Sequence, residues 1–161
     1  MDTSPTSGEP DDIVIPALLR AARGSYGRAI AARLADEGLA DLPRNGPFVL
    51  GGMANHGGSA VDMIRGLGVS RQAASQLIDT LVLRGYLTRE INPADRRRMD
   101  IELTDRGRAA AGAVQTAIAD VDRQLAAMIT PADLAGLRTA LTALATIKDR
   151  TGHAHPDHSH P

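Results

Sequence analysis

Two short runs of polar side chains have the chemistry needed to recognise a nucleic acid. The first run consists of Ser70, Arg71, Gln72, Ala73, Ser75 and Gln76. Glutamine can pair with two polar atoms of adenine, arginine can do the same with guanine, and serine suits either base. Alanine is too short to donate a hydrogen bond, but it permits close approach and can touch a thymine methyl group. The first run therefore predicts contacts with base edges or phosphates in a major groove.

The second run follows later in the chain and consists of Asp95, Arg96, Arg97 and Arg98. Arginine side chains suit the narrow and strongly negative minor groove of DNA. The segment from Val69 to Arg98 holds six arginines and three acids, a net charge of +3, whereas the whole chain carries −1. Positive charge is therefore concentrated around the two runs, although the average charge gives no sign of a DNA partner.

The local sequence predicts a helix-turn-helix that would present the first run. A short helix is expected from Ser59 to about Arg65, followed by a tight turn at Gly66-Leu67-Gly68-Val69. Ser70 is a favourable N-cap for a second helix that runs to about Arg84 and stops at Gly85. Its predicted buried stripe consists of Ala74, Leu77, Ile78 and Leu81. An α-helix fits the major groove, so this second helix is the predicted reading helix.

A β-hairpin is expected to carry the second run at its tip. The segment Leu87–Asn92 is predicted as one strand and Met99–Leu103 as the other. In the second strand, apolar residues alternate with Asp100 and Glu102, which is typical of a half-buried strand. The polar segment between the strands, residues 93–98, forms the predicted tip. A helix-turn-helix followed by such a hairpin, or wing, predicts a winged helix-turn-helix lobe.

Long helices flank this lobe and have more apolar surface than a small lobe can bury. One is expected over Ile13–Leu39 with Gly38 as its stop, and a short helix over Phe48 to about Ala54. Two more begin at the N-caps Thr104 and Thr130. The predicted fold is mainly α with a small β-hairpin wing, and the apolar stripes over 104–149 predict packing against a second copy. The expected segments are a disordered arm (1–12), an N-terminal helix (13–41), the lobe (48–103), C-terminal dimerisation helices (104–149) and a flexible His-rich tail (150–161).

The pattern resembles the MarR family of winged helix-turn-helix regulators. The matching segments are Gly68–Leu77, Leu81–Leu87, Asn92–Arg97 and Leu103–Gly107. An Asp, an Arg two residues later and a following Leu-Thr-x-x-Gly form the wing-to-helix signature of that family.

The resemblance implies a homodimeric transcriptional regulator, most often a repressor, that binds a palindromic DNA operator. It also implies that the N-terminal helix (13–41) is a dimerisation helix, which forms the dimer interface together with the last two helices. It further implies that Asp95 braces Arg97 in the minor groove and that Arg96 and Arg98 contact phosphate. In similar proteins a small molecule binds between the lobes and changes their spacing.

Other function classes have less support in the sequence. The chain has no cysteine, and it lacks the phosphate-loop, nucleophile-elbow and zinc-protease motifs, so we expect neither an enzyme nor a bound cofactor. No secretory signal or apolar run of membrane-spanning length occurs, which predicts a cytoplasmic protein with no membrane partner.

Two alternative functions remain open. One is a ligand-binding or scaffold protein of the same fold that binds DNA weakly and without sequence preference. The other is a metal-responsive regulator that uses the tail histidines, although imidazoles on a flexible tail do not predict a fixed metal site. These histidines are His153, His155, His158 and His160.

Overall fold

The computed structural model describes residues 14–56, 69–92 and 99–147. These residues form five helices and one two-stranded antiparallel sheet, which confirms the predicted mainly α fold with a small β-hairpin. The elements are α1 (Ile15–Asp36), α2 (Gly46–His56), α3 (Arg71–Leu83), β1 (Leu87–Ile91), β2 (Met99–Leu103), α4 (Asp105–Met128) and α5 (Pro131–Thr146). The predicted arm, the helix from Ser59, the hairpin tip and the His-rich tail lie outside the described residues.

The first two helices differ from the sequence prediction at their ends. Helix α1 ends at Asp36 instead of Leu39, because Gly38 adopts a left-handed φ of 71° and turns the chain away. Helix α2 begins at Gly46, two residues before the predicted start at Phe48. Pro47 fits in its first turn because the N–H groups there have no partner within the helix.

Helix α3 and the hairpin follow one another through a tight turn. Gly85, with φ of 72°, ends the helix as predicted and leads directly into β1. Strand β1 pairs with β2 in a register that places Leu87 opposite Leu103 and Ile91 opposite Met99. The register fixes which side chains share a face of the hairpin, since neighbouring residues point to opposite faces.

The core lies where α2, α3, the hairpin base and the first half of α4 meet. Its largest fully buried side chains are Tyr86, Leu50, Leu81, Leu87 and Val49. Helix α4 supplies mostly small side chains to this core, which allows close packing, and they are Ala110, Ala111, Ala113, Val114 and Ala117.

The chain divides into two compact units. The first unit extends through Asp122, and the second begins at Arg123. The first half of α4 belongs to the first unit and contributes to its core. The functional segments expected from the sequence stay a prediction.

Helix α5 has a well-defined start and an uncovered apolar stripe. Thr130 Oγ1 accepts from Asp133 N at 3.2 Å, and Asp133 Oδ2 accepts from Thr130 N at 3.1 Å, which forms a capping box. This helix has no buried residue within the single chain. Its exposed large apolar side chains are Leu137, Leu141 and Leu144, followed by Ile147. None of the helices in the described part of the chain is long and apolar enough to cross a membrane.

Candidate nucleic-acid interface

One face of α3 is polar and exposed, and the opposite face packs into the core. The buried side consists of Ile78 and Leu81, with Ala74 and Leu77 half-buried. The exposed side carries all of the first predicted run, namely Ser70, Arg71, Gln72, Ala73, Ser75 and Gln76. The structure therefore brings these residues together on an accessible surface, as the reading-helix hypothesis requires. Their contact with DNA stays a prediction.

Ser70 fixes the start of α3. Its Oγ accepts a hydrogen bond from the backbone N–H of Ala73 at 3.2 Å, so the expected N-cap is present. The serine hydroxyl can still donate its own hydrogen to another acceptor. Helix N-termini carry partial positive charge and favour a nearby phosphate, so Ser70 and Arg71 lie at the end of α3 best suited to the DNA backbone.

An ion pair joins the exposed stripe of α3 to the hairpin. Gln72, Gln76 and Asp79 lie on neighbouring turns of one helix face. Asp79 would repel phosphate, but Arg89 of β1 donates a hydrogen bond to its carboxylate. The pair neutralises the acid and connects α3 to β1. Sequence reasoning assigned Arg89 no such role, since ion pairs between separate elements leave no local signal.

The two faces of the hairpin differ in charge. Leu87, Arg89 and Ile91 share one face with the apolar residues of β2, whereas Glu90 lies on the other. On that second face Glu90 is directly opposite Asp100, and Glu102 follows on β2. Like charges in direct cross-strand positions repel, and three carboxylates disfavour phosphate. Asp100 and Glu102 were left out of the sequence-based charge count, because that count ended at Arg98.

The tip that carries the second predicted run, Asp95, Arg96, Arg97 and Arg98, lies outside the described residues. At the neck of the hairpin, Asn92 Nδ2 donates to Asp100 Oδ2 at 2.7 Å. The two strands are therefore joined by a side-chain hydrogen bond immediately before the tip. The proposed bond between Asp95 and Arg97 stays a prediction.

A hydrogen-bonded group behind α3, the Tyr86 network (Asp41, Tyr86 and Arg106), connects three segments. The Tyr86 hydroxyl donates to Asp41 Oδ1 at 2.6 Å, and Arg106 Nη2 donates to the same oxygen at 2.7 Å. The Arg106 guanidinium also stacks over the Tyr86 ring, 4.6 Å from its centre.

The protonation states of the Tyr86 network suit these bonds. The hydrogen bond from Tyr86 lowers the pKa of Asp41, so this carboxylate stays ionised. Burial and the bond to Asp41 raise the pKa of Tyr86, so its hydroxyl stays protonated and donates. The network joins the α1–α2 connection, the α3–β1 turn and the start of α4, and no local pattern in the sequence points to it.

The described ranges contain no group of three or more histidine, aspartate or glutamate side chains placed to hold a metal ion. The tail histidines lie outside these ranges. Within the described residues, the candidate interface is the polar face of α3 together with the adjoining β1–β2 hairpin.

Residues 40–98 match the sequence profile of the MarR family. This segment is therefore similar in sequence to the MarR family. The match covers α2, α3, β1 and the tip sequence of the hairpin. It includes the resembling segments from Gly68 to Arg97 but ends before Leu103–Gly107. MarR-family proteins are DNA-binding transcription regulators and not enzymes. No curated protein sequence matches the chain.

Solved structures of MarR-family regulators share the fold. The DNA complex of Staphylococcus aureus MepR has 18% identity and a TM-score of 0.66, with 83% of this chain and 98% of that chain covered. Bordetella bronchiseptica BpsR has 20% identity and a TM-score of 0.63, with 88% and 99% covered. The repressor CouR, bound to a 23-mer DNA duplex, has 24% identity and a TM-score of 0.61, with 82% and 92% covered.

Proposed function

We propose that this protein is a homodimeric, sequence-specific DNA-binding transcriptional regulator of the cytoplasm. The observation that carries the proposal is the exposed polar face of α3, which follows a serine cap and adjoins a hairpin within the MarR-family match. In this proposal α3 enters the major groove and the hairpin tip enters the adjacent minor groove. The structures of MepR and CouR with DNA support it by fold.

Each exposed residue of α3 has a proposed role that follows from its chemistry and position. Gln72 and Gln76 lie one turn apart and pair with base edges, and Ser75 lies between them. Arg71 and Ser70, at the start of the helix, contact phosphate or a guanine near the groove wall. Ala73 lets the helix backbone approach the bases closely.

The hairpin has a proposed orientation set by its charges. Arg97 enters the minor groove, braced by Asp95, while Arg96 and Arg98 contact phosphates. The acidic face of Glu90, Asp100 and Glu102 is turned away from the DNA, because phosphates repel it.

Footprinting on the DNA upstream of the protein's own gene, at several salt concentrations, tests the proposal as a whole. A protected and roughly palindromic site is expected, with half-sites about one helical turn (roughly 34 Å) apart, since a two-fold dimer presents two copies of α3. Uniform and weak protection that disappears with modest salt would instead indicate a scaffold or ligand-binding protein that does not read sequence.

The glutamines of α3 are expected to carry base preference. Gln72→Ala or Gln76→Ala should each cost about 1–3 kcal/mol at one base position per half-site, because a bidentate pair with a base is lost. Binding-site selection with each variant measures the effect. Gln124→Ala serves as the control, since it removes an exposed glutamine from α4. An unchanged preferred sequence in the double variant Gln72→Ala/Gln76→Ala would mean that α3 is not the reading helix.

The uncovered leucines of α5 support the dimer proposal. Leu137, Leu141 and Leu144 are each about two-fifths exposed in the single chain, and a second copy would remove this surface from water. Obligate dimers commonly bury about 2,000 Å² or more in total.

Charge placed on this leucine stripe is expected to separate the dimer. Leu141→Glu should shift the protein to monomer at micromolar concentration, because it places a carboxylate in an apolar interface. Thr139→Glu adds the same charge about half a turn around α5 and should remain dimeric. Sedimentation velocity compares the two variants with the wild type. A monomeric wild type, or a Leu141→Glu variant as dimeric as Thr139→Glu, would contradict this interface.

Repression relieved by a small molecule is the proposed mode of regulation. Two proteins of similar fold respond to or bind small molecules: 6-hydroxynicotinic acid regulates DNA binding by BpsR, and MepR binds ethidium bromide. By analogy, a ligand would favour dimers whose reading helices no longer match the spacing of the operator.

A further inference from the structure

Residues 84–86 form the turn that joins α3 to β1. We call this turn the hinge, and hydrogen bonds from two other parts of the chain hold it in place. Gly85 adopts the left-handed conformation there. The backbone oxygen of Tyr86 accepts a hydrogen bond from the backbone N–H of Thr104 at 3.1 Å, and the Thr104 hydroxyl donates to the backbone oxygen of Gly85 at 2.6 Å. The side chain of Tyr86 instead contacts the α1–α2 connection, where its hydroxyl donates to Asp41 Oδ1 at 2.6 Å. Arg84 in addition donates to the backbone oxygen of Asp41. The hinge is therefore fixed both to the start of α4 and to the α1–α2 connection.

We propose that the Tyr86 network positions α3 and the hairpin relative to each other for simultaneous contact with two grooves. This inference rests on the proposed DNA-binding function and adds three positioning residues, Asp41, Tyr86 and Arg106, that do not touch DNA. Neither the reading helix nor the hairpin tip contains them.

The physical basis is preorganisation. A helix in the major groove and a hairpin tip in the minor groove bind together only if the angle between them matches the DNA. A hinge that moves freely must be ordered during binding, and that ordering lowers affinity. Because Tyr86 is fully buried, its hydroxyl bond to Asp41 fixes the ring inside the core, and the backbone of the same residue forms the hinge.

The network acts on specific binding and has little influence on non-specific binding. Non-specific binding depends mainly on phosphate contacts and tolerates several orientations of the lobe. Base contacts require one orientation. Loosening the hinge should therefore lower operator affinity while affinity for unrelated DNA stays nearly constant. A general loss of folded protein would lower both affinities by the same factor.

Tyr86→Phe is the first test, because it removes only the hydroxyl and keeps the buried ring. We expect the ratio of operator affinity to unrelated-DNA affinity to fall by roughly three- to tenfold, since a hydrogen bond to a charged group is lost. Tyr26→Phe is the matched control: Tyr26 of α1 donates to Asp122 Oδ1 of α4 at 2.5 Å, away from the hinge. The control should leave the ratio unchanged. Both affinities are measured with the full-length dimer well below its unfolding temperature.

Asp41→Ala provides a second test, in which electrostatics alone and the proposed positioning role predict opposite changes in operator affinity. Removing an acid raises the positive charge and by itself strengthens binding to any DNA. The proposed positioning role predicts weaker operator binding instead, with a loss in the ratio of about tenfold because both bonds to the carboxylate disappear. Asp41→Glu, which keeps the carboxylate, should recover part of the ratio.

The outcomes separate this inference from the proposed function. If wild-type protein prefers no DNA sequence, the DNA-binding proposal fails and the inference fails with it. If the wild type prefers an operator but Tyr86→Phe and Asp41→Ala keep the wild-type ratio, only the positioning role is wrong. A lowered ratio in both variants, with Tyr26→Phe unchanged, supports it.

Discussion

Replacing Gly107 by alanine is expected to destabilise the lobe by about 3 kcal/mol or more, at the upper end of overpacking effects. A Cβ at this position would overlap the backbone oxygen of Tyr86 and would lie 3.2 Å from Leu103 Cδ2. The oxygen cannot yield easily, because it accepts a hydrogen bond from the backbone N–H of Thr104, whose hydroxyl also holds the neighbouring oxygen of Gly85. Urea denaturation followed by circular dichroism measures the change in the free energy of unfolding.

Gly112→Ala is the matched control for this prediction. Both glycines lie in α4, but a Cβ at Gly112 meets nothing within 4 Å, and Gly112 is exposed. The control should stabilise the protein by about 0.5–1 kcal/mol, because alanine loses less backbone freedom than glycine on forming a helix. Equal effects of the two substitutions would show that α4 does not approach the Tyr86 backbone so closely.

Elements with a strong local signal were predictable from the sequence. Ser70, Thr104 and Thr130 each accept a hydrogen bond from the backbone N–H three residues later, as their positions before apolar runs indicated. Strand β2 has the bounds that its alternating pattern predicted, and Gly85 ends α3 through its left-handed φ. Caps, alternation and glycine stops act over a few residues, so a single sequence contains them.

Features that depend on distant parts of the chain were not predictable. The apolar stripe of α4 looks continuous in the sequence, yet its first half is buried in the lobe and its second half is not. Asp41 and Tyr86 are 45 positions apart, and Asp79 and Arg89 belong to different elements. Only the packing of the elements decides which charges neutralise each other and which carboxylates share a face.

The second large effect concerns the hairpin tip. Arg97→Ala is expected to weaken operator binding by more than tenfold, which corresponds to about 1.4 kcal/mol, while the dimer stays folded. The expectation rests on the sequence pattern and on the MarR-family match, which extends to Arg98. The arginine side chain suits a narrow minor groove, where the negative potential is strongest, and its loss removes both a charge and a groove contact. Electrophoretic mobility shift with the operator gives the affinity, and sedimentation checks the dimer.

Asp95→Ala should weaken operator binding to a similar extent, although it removes a negative charge. A charge-assisted hydrogen bond from Arg97 to Asp95 would hold the arginine in its groove-binding orientation. Electrostatics alone predicts the opposite sign, since losing an acid near phosphate strengthens binding. Glu90→Ala isolates this charge effect, because it removes an acid from the same hairpin, on the face that Glu90 shares with its cross-strand partner Asp100. We expect Glu90→Ala to bind the operator as tightly as the wild type or more tightly. If Asp95→Ala behaves like Glu90→Ala, Asp95 is an ordinary surface acid and does not brace Arg97.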